Sequence, residues 1–171
     1  MELAEPFIFE TKETRHFLGA HISTNFIKNE TAIVWQKLMP QLKSIQHRLS
    51  NKLYAIDQYP SDFNIATFKP EITYTKMACV EITGAIEQNE LQVLSVPNSL
   101  FAVFTYTGTA ANAGKAFHFI FTEWENNSNY CIDFSRPIIC EMEANYNPTN
   151  EKETELIWIP IKTKNNAHSN K

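Results

Sequence analysis

Residues 155–162 read Glu-Leu-Ile-Trp-Ile-Pro-Ile-Lys, an apolar stretch with a proline inside it. A proline lacks the backbone N–H group that a central strand would use, so Pro160 predicts a strand edge or a strand end. Trp158 shares a face with Pro160, because side chains alternate along a strand. A second marker lies upstream, where Trp124 is followed by Ser-Asn-Tyr at 128–130 and a helix should end.

Working outward from this stretch, apolar periodicity and turn residues divide the chain into strands and helices. Asn29 is a natural N-cap for the first helix, and Pro40 should kink that helix or divide it in two. Strands are predicted at 7–9, 15–23 (broken by Gly19), 53–56, 72–82, 91–96, 101–106, 137–142 and 155–161, and helices at 29–49 and 111–124.

The order strand, helix, strand, strand occurs twice, in residues 15–82 and in about 100–162. We therefore predict an α+β fold of duplicated βαββ units, with a curved antiparallel sheet, helices on one face and a central cleft. Residues 15–162 should form a single domain. Residues 1–14 are set apart as an N-terminal segment, and residues 163–171 are predicted to be a disordered tail.

Composition argues against several classes of function. The formal charge of −4 and the pI of about 5.7 argue against a nucleic-acid-binding surface. Cys79, Cys131 and Cys140 lack CxxC spacing, which favours free thiols in a cytoplasmic protein. The histidines show no metal-ligand spacing, four glycines make a phosphate loop improbable, and no apolar run is long enough for a membrane span. No cofactor and no metal are expected.

Several motifs in a fixed order resemble those of the GyrI-like small-molecule-binding domain, the effector-binding domain of bacterial AraC-type and MerR-type multidrug regulators. The resemblance covers about residues 14–162 and implies a pair of βαββ units (SHS2-type) around an aromatic-lined cleft, with lipophilic, often cationic aromatic ligands. The chain shows no helix-turn-helix pattern ahead of the domain, so a stand-alone binder is expected rather than a repressor. The motifs are Trp35…Pro40…Ile45, Val80-Glu-Ile82, residues 101–108, Trp124…Ser128-Asn-Tyr130, Asn147-Pro148 and residues 157–161.

The resemblance fails on the strand that contains Cys140 and Met142. Members of this family carry a buried Glu, with a Tyr partner, on the strand before the Asn-Pro turn, and here these positions hold Cys140 and Met142. Alternation places Glu141 on the opposite face, but a slip of one residue would turn it inward. If Cys140 faces the cleft, the site should favour neutral aromatic ligands or use another acid such as Glu81. The sequence leaves both registers open.

Nine side chains are candidates for ligand contact, because they are aromatic or lie where the resemblance places the cleft. Large aromatic side chains also fill cores, so that alternative stays open for each of them. Glu151, Glu153 and Glu155 are predicted to be solvated. The nine candidates are Trp35, Tyr74, Phe104, Tyr106, Trp124, Cys140, Glu141, Met142 and Trp158.

The leading hypothesis is a binding domain for hydrophobic or aromatic small molecules, including cationic ones. A hydrolase of reactive hydrophobic electrophiles is the first alternative, with an acid and Trp124 in the cleft. A protein-interaction module similar to a gyrase inhibitor is the second, and it would give the chain a protein partner. An enzymatic role is the less favoured of these classes, and neither nucleic-acid binding nor membrane association is expected.

Overall fold

The computed structural model describes residues 2–28 and 30–165, which form a ten-stranded antiparallel sheet and its helices. The sheet and its α-helical elements confirm the predicted α+β class. The strands are β1 (Glu2–Leu3), β2 (Phe7–Glu10), β3 (Arg15–Thr24), β4 (Leu53–Gln58), β5 (Tyr74–Ile82), β6 (Gln92–Val96), β7 (Leu100–Thr107), β8 (Tyr130–Ile132), β9 (Ile138–Met142) and β10 (Thr154–Thr163). The α-helices are α1 (Thr31–Leu38), α2 (Ala113–Phe119) and α3 (Glu125–Asn127).

The two predicted βαββ units are β3-α1-β4-β5 and β7-α2-β9-β10. The strands lie in the order β1-β7-β10-β9-β4-β5-β3-β6, so the second unit (β7-β10-β9) meets the first (β4-β5-β3) in mirror order. The units join where β4 pairs with β9, from Leu53 opposite Met142 to Asp57 opposite Ile138. This joint lies at the centre of the sheet, between equivalent strands of the two units.

Helices α1 and α2 pack on the same face of the sheet, called the helix face below. Val34 and Leu38 of α1 are fully buried against β3 and β5. Ala116 of α2 is fully buried in a cluster that includes residues of β7 and β10. The central strands β4 and β9 lie between the two helices, and the helix-face surface of their joint is called the groove below.

The opposite face, called the inner face below, is buried because the sheet curls around it. Phe17, Phe101 and Val103 have no exposed surface there. The guanidinium carbon of Arg15 in β3 lies 5.0 Å from the ring centroid of Trp158 in β10. β3 and β10 are four positions apart in the sheet order, so they would be about 19 Å apart in a flat sheet. The much shorter distance between Arg15 and Trp158 reflects the curl of the sheet.

One glycine and one proline have structural roles that differ from those predicted. Gly19 does not break β3, which pairs with β5 from His16 to Thr24. A Cβ at Gly19 would lie 1.9 Å from the carbonyl oxygen of Ala78, so the glycine permits close approach of the strands. Pro160 lies inside β10, opposite Phe101. The carbonyl of Pro160 points away from β7 and accepts a hydrogen bond from the N–H of Asp133. The N–H and carbonyl groups of one residue in an antiparallel strand point to the same side, so the N–H that proline lacks would not have bonded to β7.

The helices are less regular than the sequence predicts, and the first helical region is shorter while the second is longer. After α1 the chain forms a 3₁₀ helix at Met39–Ser44, with Pro40 in its first turn, so Pro40 divides the predicted helix. The second helical region runs from a 3₁₀ turn at Ala110–Asn112, through a π-helical turn at Ile120–Trp124, to the end of α3. The predicted cap, Asn29, lies outside the described residues.

The ends of the chain contribute more than the sequence predicts. From the N-terminal segment, β1 and β2 both pair with β7. Thr163 belongs to β10 and pairs with Tyr130 in β8, a strand that the sequence did not predict. The next residue, Lys164, donates from Nζ to carbonyl oxygens at the end of the second helical region. The rest of the predicted tail, residues 166–171, lies outside the described residues.

Candidate functional site

The floor of the groove consists of two small residues at the joint. Ala55 of β4 lies directly opposite Cys140 of β9. Both remain partly exposed, although they occupy the two central strands of the sheet. Small side chains between two helices leave a depression on the helix face. Cys140, and not Glu141, therefore faces the groove.

One end of the groove holds a buried acid, Glu155, which is 8% exposed. Glu155 lies on the helix face because it is in the same alternating set of β10 as Ile157, the partner of Cys140. Burial raises its pKa from 4.5 to about 7, while Tyr146 and Lys76 oppose that shift. The prediction that Glu155 is solvated was therefore wrong, and this acid lies one strand away from the position at which the family resemblance expects one.

An ion pair lies on the other side of Cys140. Lys76 Nζ of β5 is 2.9 Å from Asp57 Oδ1 of β4, and both side chains are about 85% buried, with exposures of 14% and 15%. Burial acts to lower the pKa of Lys76, but Asp57, Tyr74 and Cys140 together raise that pKa by more, so the ammonium group stays charged. Lys76 thus neutralises Asp57. When Glu155 ionises, the groove carries one uncompensated negative charge.

Aromatic rings close the groove beyond this ion pair. Tyr59, which follows β4, has its ring centroid 5.1 Å from that of Tyr74 and 4.9 Å from that of Phe63. Phe63 in turn lies 4.8 Å from Phe134, in the connection between β8 and β9. Burial raises the pKa values of Tyr59 and Tyr74, so both hydroxyls stay protonated. This end of the groove is apolar with neutral hydrogen-bonding groups.

The other two acids considered from the sequence face the inner side of the sheet. Glu81 accepts two hydrogen bonds from Arg15, at 2.8 and 3.1 Å, and one from the hydroxyl of Tyr54 at 3.4 Å. Glu141 pairs with Lys52 at 2.9 Å. Both carboxylates are already matched by cations, so neither is placed to receive a ligand in the groove.

The candidate residues divide between the groove and the core. Cys140 and Met142 lie on the helix face at the joint, where Met142 is 6% exposed, and Tyr74 of β5 lies in the aromatic end of the groove. The remaining candidates lie elsewhere: Phe104 and Tyr106 buried beneath the second helical region, Trp124 packed edge-on against Phe104, Trp35 on α1 against the first-unit core, and Glu141 and Trp158 on the inner face.

Sequence reasoning missed Ala55, Asp57, Tyr59, Lys76 and Glu155. One signal for Glu155 was available, since alternation from Trp158 places residues 155 and 157 on the face opposite to the tryptophan. No comparable signal marked Asp57 and Lys76, because their pairing depends on the register between β4 and β5.

The groove offers little for nucleophilic or metal chemistry. Burial raises the pKa of the Cys140 thiol well above its usual value, and Glu155 and Asp57 raise it further, which disfavours the reactive thiolate. Within residues 2–28 and 30–165, no three His, Cys, Asp or Glu side chains come together as a metal site. In the same ranges, no helix is both long and apolar enough to cross a bilayer.

Two surface pockets lie away from the groove. One, of about 370 Å³, opens beside Met77 and Leu94 on the inner face. The other, of about 450 Å³, is lined by polar residues around Gly108. Neither includes the ionisable groups that surround Cys140, so the groove remains the candidate site.

The family model of the GyrI-like small molecule binding domain matches residues 5–162 of this chain. The chain belongs to this family. The family expected from the motifs is therefore confirmed. No curated protein sequence matches the chain.

Solved structures share the GyrI-like fold at low sequence identity. A putative bacterial transcription regulation protein from Staphylococcus aureus MU50 is 16% identical with a TM-score of 0.63, covering 92% of this chain and 98% of its own. SAV2435 bound to tetraphenylphosphonium is also 16% identical with a TM-score of 0.63, covering 93% and 94%. The EcmrR C-terminal domain is 8% identical with a TM-score of 0.61, covering 95% and 98%.

Proposed function

We propose that this GyrI-like domain binds an aromatic, positively charged small molecule in the groove along the β4–β9 joint. The observation that carries the proposal is Glu155, a buried acid at the groove that forms no salt bridge with any of the described residues. An ionised carboxylate in a poorly solvated site gains from a cation more than one in water does. A lipophilic cation would supply the missing charge, because Lys76 is already held by Asp57.

The aromatic end of the groove supports the second half of the ligand description. Tyr59, Tyr74 and Phe134 present ring faces and edges to the same region, where the rings of a ligand would bury apolar surface. SAV2435, which has the same fold, binds tetraphenylphosphonium, a cation surrounded by aromatic rings. The formal charge of −4 favours a sensor or carrier of such ligands over direct contact with nucleic acid.

Calorimetric titration with tetraphenylphosphonium tests the proposal, with neutral triphenylphosphine oxide as the uncharged comparison. We expect saturable binding of the cation that strengthens as the pH rises through about 7, because Glu155 then ionises. Glu155→Gln should weaken cation binding about tenfold or more and leave the neutral compound nearly unaffected.

Glu141→Gln is the matched control, because Glu141 lies on the inner face and pairs with Lys52. This variant should bind the cation as the wild type does. Absence of saturable binding would contradict the proposal, and so would equal loss in the two Glu→Gln variants.

A further inference from the structure

The connection between β4 and β5 places its own aromatic rings at one end of the groove. Phe63 is 8% exposed and belongs to the same core cluster as residues of α2, β7 and β10. Phe68 packs against this cluster too. Many of the residues around them are exposed and polar, such as Asp62 and Asn64, while Ile65 and Ile72 also pack against the cluster. The connection therefore folds back to pack its apolar side chains against the core.

These rings span the groove from one unit to the other. The Phe63 centroid lies 6.3 Å from that of Phe121 in the second unit. The Phe68 centroid lies 4.9 Å from that of Phe26, which follows β3 in the first unit. Between them, Tyr59 contacts Phe63 and Phe26 at 4.9 and 5.9 Å. The connection thus bridges the two units above the end of the joint.

Few backbone hydrogen bonds hold the connection in place. Its turn bonds are internal, as from Phe63 N to the carbonyl of Pro60 and from Ile72 N to that of Lys69. Among the described residues, the turn and loop bonds include one that ties it to another element, from Phe26 N to Pro70 O at 3.1 Å. A segment with few backbone hydrogen bonds to the rest of the protein can open locally as a unit without disrupting the sheet.

We propose that residues 60–73 form an aromatic plug whose Phe63 and Phe68 rings occupy the part of the groove that the rings of a ligand require. This proposal rests on the proposed function and adds its regulation. Binding then exchanges the rings of the plug for those of the ligand against Tyr59, Phe121 and Phe134. The apparent affinity equals the intrinsic affinity multiplied by the fraction of molecules in which the plug is out, so a plug that is mostly in place weakens binding.

The first test measures affinity in Phe63→Ala and Phe68→Ala, by the same titration with tetraphenylphosphonium. Each variant removes one ring of the plug, so each should bind at least about tenfold more tightly than the wild type. Phe68 is only half-buried, so Phe68→Ala keeps the test valid if Phe63→Ala fails to fold. Phe119→Ala is the matched control, because Phe119 is 38% exposed on α2 and should bind as the wild type does.

The second test needs no ligand. In a Cys131→Ser background, the rate at which a thiol reagent modifies Cys140, which packs against the cluster that contains Phe63, should rise above the rate set by its partial exposure when the plug is out, while the fully buried Cys79 should react only on unfolding. Folded plug variants should react several-fold faster at Cys140, and tetraphenylphosphonium should slow that reaction.

The two readouts separate the two proposals. A wild type that binds the cation, with folded plug variants that bind no more tightly and label no faster, would overturn the plug and leave the binding function intact. Faster labelling of Cys140 with no cation binding in any variant would support the plug and overturn the binding function.

Discussion

Glu155 makes the stability of this protein depend on pH in the direction opposite to that of most carboxylates. Burial raises its pKa from 4.5 to about 7. Between these values the folded protein keeps a proton that the unfolded chain has released. Unfolding therefore becomes easier as the pH rises through this window, and the loss is complete above about pH 7.

The size of the effect follows from the two pKa values. A difference of about 2.5 between folded and unfolded protein, at 1.36 kcal/mol for each, corresponds to about 3 kcal/mol. Glu155→Gln removes the titration and keeps the shape of the side chain. The free energy of unfolding of the variant, relative to the wild type, should therefore rise by about 3 kcal/mol between about pH 4.5 and pH 8.

Urea denaturation of both proteins across this pH range measures the difference directly. Every other titrating group is present in both, so its contribution cancels when the two curves are subtracted. Glu151→Gln serves as the control, because Glu151 is exposed, and its curve should run parallel to that of the wild type. A Glu155→Gln curve that also ran parallel would refute the placement of this carboxyl in a poorly solvated site.

Two further substitutions test the packing of the sheet. Gly19→Ala should destabilise the protein by about 3 kcal/mol in urea denaturation, since its Cβ would meet the backbone of Ala78; Gly84→Ala, which meets nothing within 4 Å, should leave the midpoint nearly unchanged. Arg15→Lys should cost about 2 kcal/mol, because lysine cannot make the two-point contact with Glu81, and an unshifted midpoint would contradict this.

The duplicated architecture could be predicted because it depends on local signals. Apolar alternation and turn residues marked eight of the ten strands. The sequence did not predict β8, a strand of three residues that pairs with the end of β10. So short a segment has no period to detect, and its pairing depends on where the second helical region ends. Pro160 was misleading for a similar reason, since the partner of β10 changes from β9 to β8 beside it.

The groove was harder to predict than the fold, because its residues converge from strands far apart in sequence. The sequence left both registers of β9 open, and the structure places Cys140 on the groove side and Glu141 on the opposite face. Glu155 was assigned to solvent because it follows two other acids near a turn. Its burial is a consequence of pairing with Tyr106 and of the elements packed above it, which no local pattern records.

The pairing of β2 with β7 has a consequence for the order in which the chain is assembled. Phe7 lies opposite Val103, and Phe9 lies opposite Phe101. During synthesis the first apolar strand therefore leaves the ribosome long before its partner exists, while β3, β4 and β5 can already pair with one another. β2 is thus among the last strands to find its partner, and until then its unpaired backbone is open to chaperones and to other nascent chains.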